Sequence, residues 1–314
     1  MQEARSAHHA VEKTPMFDPQ ARLKTLCGMA APSQFSERSR IRLKAPAGIV
    51  FVEIDLVRQD GERVRGLLAG PEGPWNNLPA LLCCHAHGLR YDIGAAELFS
   101  GRPALLDPPY GETLARQGYV AFAIDLSCFG ARQNECESSA SKRHLWQGRT
   151  MFGEMLEDLG GAIDFLTQHA GIDPERIGAF GISMGATLAF WLAALDQRVK
   201  VVAHLCCFAD LAALVETGAH DLHGPYMTVP GLVQEFTTGQ IAGLVAPRPQ
   251  FAAMGALDAL TPPAAVARAV ADTRRAYEAS GAPGRFQVLV GAETGHVETP
   301  QMREALLRFV ASHL

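Results

Sequence analysis

The stretch RIGAFGISMGATLAFWLAAL, residues 176–195, runs from a short apolar strand straight into an apolar helix through Gly181-Ile182-Ser183-Met184-Gly185. A serine at so sharp a strand-to-helix turn needs small flanking residues, because the backbone is strained there and its neighbours pack closely. The turn projects the hydroxyl, and backbone N–H groups at the helix start face any negative charge that develops beside it. A Gly-x-Ser-x-Gly pattern arises often by chance. Its position between this strand and this helix is what makes Ser183 a candidate nucleophile. The competing reading is a helix N-cap, worth about 1 kcal/mol and needing no catalysis.

Outward from this turn, nearly continuous apolar runs recur: PALLCCHAHG at 79–88, YVAFAIDL at 119–126, VKVVAHLCCF at 199–208, PQFAAMGAL at 249–257 and RFQVLVGAE at 285–293. Runs of this kind mark strands buried on both faces, as in a parallel sheet. Helix-like segments lie between several of them: GETLARQGY, MLEDLGGAIDFLTQHAG, GATLAFWLAALDQ and PPAAVARAVADTRRAYEASG. Upstream, IVFVEIDLV and RVRGLLAG flank the turn signal Gln59-Asp60-Gly61 and read as an antiparallel pair at one edge. The pattern predicts an α/β fold, with one mostly parallel eight-stranded sheet and helices on both faces. It fills a single domain over 39–314. Residues 1–38 read as an N-terminal arm with one helix near Pro19 to Met29. Two connections exceed simple crossovers, at 127–150 and 209–248, and loops beyond the carboxyl ends of strands form the ligand site in such sheets.

Bulk properties narrow the function classes. With 314 residues and 48% hydrophobic side chains, the chain buries a large core without a disulfide or metal staple. A net charge of -5, with no long basic run, argues against nucleic acid as a partner. The seven cysteines are two adjacent pairs, Cys83-Cys84 and Cys206-Cys207, and three scattered residues. That spacing suits reduced thiols better than zinc or a disulfide framework. No signal-like or membrane-spanning stretch is present, so the expectation is a cytoplasmic protein with no membrane partner. The glycines form no G-x-G-x-x-G strand-to-helix fingerprint, which weakens a dinucleotide-binding reading.

A serine hydroxyl is a poor nucleophile until a base takes its proton. Among eleven histidines, His296 follows the last strand in ETGHVETP and precedes the terminal helix. Asp258, in MGALDALTPPAAV, lies just beyond a buried strand and before a proline-initiated helix. It supplies the carboxylate that would set the imidazole tautomer. The chain order Ser, acid, His is the one this architecture uses. Asp210 is the competing acid, with capping of a helix at Leu211 as its structural role. Glu293 reads as a loop or solvated carboxylate.

Taken together, HAHG at 85–88, AIDLSCFGAR at 123–132, GISMGA at 181–186, APRPQFAAMGALDALTP at 246–262 and Gly295-His296 resemble the α/β-hydrolase superfamily. Within it, the span from about 49 to 314 is similar to the dienelactone-hydrolase-like and acetyl-xylan-esterase-like branch. Strict dienelactone hydrolases carry cysteine where this chain has Ser183, so the resemblance implies esterase-like chemistry. It also implies an oxyanion hole built from the backbone N–H groups of Met184 and Leu89, with no cofactor and no metal. His85 and His87 share a strand face but lack further ligands for zinc.

The reaction expected is hydrolysis of a small-molecule carboxylic ester through an acyl-enzyme. Amidase or peptidase action, thioester hydrolysis and a noncatalytic ligand-binding scaffold are the alternatives. Candidate substrate contacts are Arg132, Trp146 and Arg149 from the first insertion and Tyr226 from the second. Arg132 would hold a carboxylate in bidentate fashion, against a surface or salt-bridged arginine as the plainer reading. Trp191 reads as core. The N-terminal arm suggests a homodimer, against a monomer with a disordered arm.

Overall fold

The computed structural model describes residues 17–314, and the part of the arm over 1–16 lies outside them, with any subunit contact expected of it. Nine strands form one sheet: β1 (Phe35–Leu43), β2 (Ile49–Arg58), β3 (Arg63–Pro71), β4 (Leu78–Cys84), β5 (Val120–Ile124), β6 (Ile172–Ile182), β7 (Val201–Leu205), β8 (Gln250–Gly255) and β9 (Phe286–Gly291). Their order is β1-β2-β3-β5-β4-β6-β7-β8-β9. The pairs β1/β2, β2/β3 and β3/β5 are antiparallel, and every pairing from β5/β4 to β8/β9 is parallel.

The ninth strand corrects the expected count of eight. The missing one is β1, FSERSRIRL, in which every interior residue is exposed. A strand polar on both faces carries no period-two apolar signal. Its charges instead protect a free sheet edge from pairing with another chain. It also straddles residue 38, where the arm was expected to give way to the domain. The helix expected near Pro19 to Met29 spans Pro19–Leu26, capped by the Asp18 carboxylate.

Two apolar layers cover the sheet. One contains buried residues of the helices Met151–Gln168, Met184–Leu195 and Pro263–Ala279. The other holds those of Tyr110–Arg116 and Pro300–His313. Central strands β5, β7 and β8 are buried at every position, which is why they read as unbroken apolar runs. Trp191 is part of the first layer, edge-on to Phe152 at 5.0 Å. Among the described residues no helix is long and apolar enough to cross a membrane. All seven cysteines are free thiols, six of them buried.

Candidate active site

The turn at Ser183 is strained and tightly enclosed. Ser183 has φ 58° and ψ -123°, a left-handed backbone that costs a non-glycine residue on the order of 1–3 kcal/mol. The Ser183 N–H donates to the Leu205 carbonyl of β7 at 2.9 Å, holding the turn against the neighbouring strand. A Cβ on Gly185 would sit 1.9 Å from the Cys84 carbonyl oxygen, and one on Gly181 would sit 2.2 Å from Gly185 backbone atoms. Only glycine fits at both places. Ser183 occupies the N-cap position of Met184–Leu195, yet its side chain makes no capping hydrogen bond. The capping alternative therefore leaves the hydroxyl without a structural task.

Asp258 and His296 meet across two loops. After β8 and β9 the chain is stitched together by Ala256 N–H to Gly291 carbonyl and Leu257 N–H to Thr294 carbonyl, both 2.9 Å. Gly255 permits this approach, since a Cβ there would lie 2.1 Å from the Thr294 oxygen. Asp258 is buried, and its Oδ2 lies 2.6 Å from Nδ1 of His296, whose side chain is about a quarter exposed. The second carboxylate oxygen accepts the Leu260 N–H at 2.9 Å. Asp258 thus holds the ring through Nδ1, on the side away from Nε2. Asp210 is spent elsewhere: it accepts the Ala213 N–H at 3.1 Å as the cap of Leu211–Thr217, and the Thr238 N–H at 3.3 Å. Glu293 is exposed.

The loop after β4 forms the third side. His85 is buried, its ring between the Ala86 carbonyl and the Leu126 N–H, and burial pushes its pKa down to about 4. His87 Nε2 lies 2.9 Å from Glu137 Oε2, which also accepts the Tyr91 hydroxyl at 2.7 Å. The other Glu137 oxygen accepts the Tyr226 N–H at 3.1 Å. Leu89, 79% exposed at the rim, donates its N–H to His87 Nδ1 at 3.1 Å. That donor is engaged in this conformation and must turn from the ring to serve an oxyanion. On the far side of the loop the buried Glu97–Arg102 pair holds Ala86, by Ala86 N–H to Glu97 at 3.0 Å and Arg102 to the Ala86 carbonyl at 2.9 Å. Among the described residues no three His, Cys, Asp or Glu side chains gather as metal ligands.

The expected substrate contacts fare differently. Tyr226 is buried, its ring stacked on His87 at 5.7 Å. Arg132 is also buried, but it is an internal residue. Its guanidinium pairs with Asp158 at 2.6 Å and Glu62 at 2.9 Å and donates to the Asp125 carbonyl at 3.1 Å, because a charge taken out of water must be paired. Arg149 pairs with Glu157, beside Gly28 of the N-terminal segment. Trp146, 90% exposed, ends the helix Glu137–Trp146 in solvent. Of the four, Tyr226 alone meets the His87–Glu137 pair. Sequence reasoning missed Glu137 and Tyr91; the available signal was that a buried His87 needs a polar partner.

An apolar recess lies between Met184–Leu195 and the second insertion. A cavity of about 20 Å³ is lined by Thr187, Phe190, Trp191, Cys207, Met227 and Leu232 among others. A more open groove of about 430 Å³ shares its Leu211, Leu214, His223, Met227, Val229 and Leu232 walls. His223 Nε2 meets the Leu260 carbonyl at 2.9 Å, tying this recess to the Asp258 loop.

The comparisons with known proteins agree with this architecture. The Dienelactone hydrolase family matches residues 109–216. YtaP of Bacillus subtilis, which carries the provisional name of a hydrolase, is 38% identical over 243 residues, covering 77% of this chain and 80% of its own. Among solved structures, a glucuronoyl esterase from Solibacter usitatus superposes with TM-score 0.66 at 15% identity, covering 93% of this chain and 91% of the other. An acetyl xylan esterase from Paenibacillus sp. R4 gives 0.62 at 20% identity, covering 94% and 93%. At those identities the likeness is one of fold. With the nine-stranded sheet, the serine turn and a relative that covers most of both chains, the chain belongs to the α/β-hydrolase superfamily and is related to dienelactone hydrolase.

Proposed function

We propose that this chain is a serine hydrolase that cleaves a small carboxylic ester through an acyl-enzyme. The observation that carries the reading is the His296–Asp258 pair on loops beyond β8 and β9, at the same sheet end as the strained, uncapped Ser183. Asp258 accepts the Nδ1 proton, which leaves Nε2 unprotonated in the neutral ring and suited to take a proton from Ser183 as it attacks the ester carbonyl. The Met184 N–H, at the first position of a helix, is aimed at the developing oxyanion, and the dipole of that helix adds to it. Protonated His296 then gives its proton to the departing alcohol, and water clears the acyl group by the same steps in reverse roles.

The free thiols support a cytoplasmic setting. The test is hydrolysis of a chromogenic short-acyl ester, with amide and thioester counterparts, alongside labelling by a serine-directed phosphonate. The expected result is a burst equal to the protein concentration, one phosphonate on Ser183, and loss of both in Ser183→Ala. Full activity in a clean preparation of that variant would place the nucleophile elsewhere.

A further inference from the structure

We infer that Glu298 is a positioning residue for His296, fixing the turn that carries the imidazole; the inference rests on the hydrolase reading proposed above. His296 stands at the apex of a three-residue turn, closed by the Val297 N–H donating to the Gly295 carbonyl at 3.0 Å. The turn is clamped at both ends. Before it, the Thr294 carbonyl accepts the Leu257 N–H of the Asp258 loop at 2.9 Å. After it, the Glu298 N–H donates to the Ala104 carbonyl, also at 2.9 Å. Only Gly295, His296 and Val297 lie between the clamps. The same turn is tied to the nucleophile's neighbour strand: the Cys206 thiol donates to the Val297 carbonyl at 3.5 Å, and the preceding Leu205 carbonyl accepts the Ser183 N–H. A shift of the turn therefore moves the imidazole relative to Ser183.

The Glu298 side chain holds the second clamp. Its buried carboxylate accepts the Leu106 N–H at 2.8 Å and the Tyr110 hydroxyl, while the Arg303 guanidinium donates to its two oxygens at 3.0 and 2.8 Å. Arg303, from the terminal helix, also reaches the Leu106 and Pro108 carbonyls, both at 2.7 Å. Segment 104–110 and the terminal helix thus close on one carboxylate, two residues beyond His296. Pairing satisfies the buried charge, and the same bonds leave the turn no freedom to pivot about Thr294.

Glu298→Gln keeps the shape, but its NH₂ group opposes an Arg303 N–H donor to donor, whichever oxygen it replaces. A misplacement of about 1 Å at a reacting group can cost on the order of 10²-fold in rate; with the Thr294 clamp intact, the expected fall in kcat is about ten- to a hundred-fold. KM and the titrated number of phosphonate-reactive sites stay at wild-type values. The rate of phosphonylation should fall by the same factor as kcat, because the same base must take the serine proton. Arg132→Met, which breaks a buried ion pair on other elements, is the control: it loses stability and keeps its kcat per titrated site. In E298Q, a kcat per titrated site equal to wild type, whatever the melting temperature, would overturn the inference, as would a loss confined to KM.

If E298Q does not fold, Tyr110→Phe decides the matter. It removes one donor and leaves the Arg303 pair, so kcat and the phosphonylation rate should fall together by a smaller factor than in E298Q; no change in either would sink the idea. A wild-type protein that neither hydrolyses esters nor reacts with the phosphonate removes the hydrolase reading, and this inference with it. That outcome is distinct from an active wild type with an unimpaired E298Q.

Discussion

Replacing Arg132 by methionine should cost stability and leave catalysis intact. The Arg132 side chain is 1% exposed and faces the fully buried Asp158 at 2.6 Å, with Glu62 on its other edge. Removing one partner of a buried pair leaves an uncompensated charge and typically costs about 3–5 kcal/mol. Asp158 keeps two other contacts, Arg58 at 3.3 Å and the Ser33 hydroxyl at 2.6 Å, so the expected loss is near the lower bound, about 3 kcal/mol. An unfolding entropy of roughly 2.1 cal/mol/K per residue converts this to a drop in melting temperature of about 5 °C. The assay pairs a thermal melt with kcat and KM measured on a neutral and on a carboxylate-bearing ester, normalised to phosphonate-titrated sites. Loss of stability with unchanged ratios between the two esters is the expected outcome. A selective rise in KM for the carboxylate-bearing ester, with melting temperature preserved, would refute the reasoning and return Arg132 to the substrate.

Two further predictions concern the two candidate acids and the buried histidines. Asp258→Asn should lower kcat by roughly 10⁴ by disturbing the His296 tautomer, whereas Asp210→Asn should leave kcat in place; the reverse order, read by steady-state kinetics, would exchange their roles. Stability should fall as pH drops below about 6.5, because burial depresses His85 to about 4 and His204 to about 3. Each takes up a proton in the unfolded chain before the folded one does, costing up to about 1.4 kcal/mol per pH unit until the folded pKa is passed. Denaturant melts between pH 7 and 4 read the slope, which His204→Leu should make shallower; an unchanged slope would show that His204 is not the source.

Local pattern carried much of this protein. Apolar runs without alternation report strands buried on both faces, so the parallel sheet and the serine turn were legible from sequence alone. So were the loop positions of Asp258 and His296, because a strand followed by a proline-initiated helix marks a loop end. Tertiary structure decided the rest, for reasons that periodicity cannot express. Strand β1 hides because an exposed edge has no apolar face to display. Arg132 and Arg149 looked available because a charge in a polar stretch reads the same whether it meets solvent, substrate or a buried carboxylate. The segment Gly181-Ile182-Ser183-Met184-Gly185 specifies a sharp strand-to-helix turn through sterics within five residues. The buried His87 ring finds its partner in Glu137, 50 residues away and in reach only after the chain has folded. Short-range sterics are written in adjacent residues, and the partner of a buried polar group is chosen by the packing that buries it.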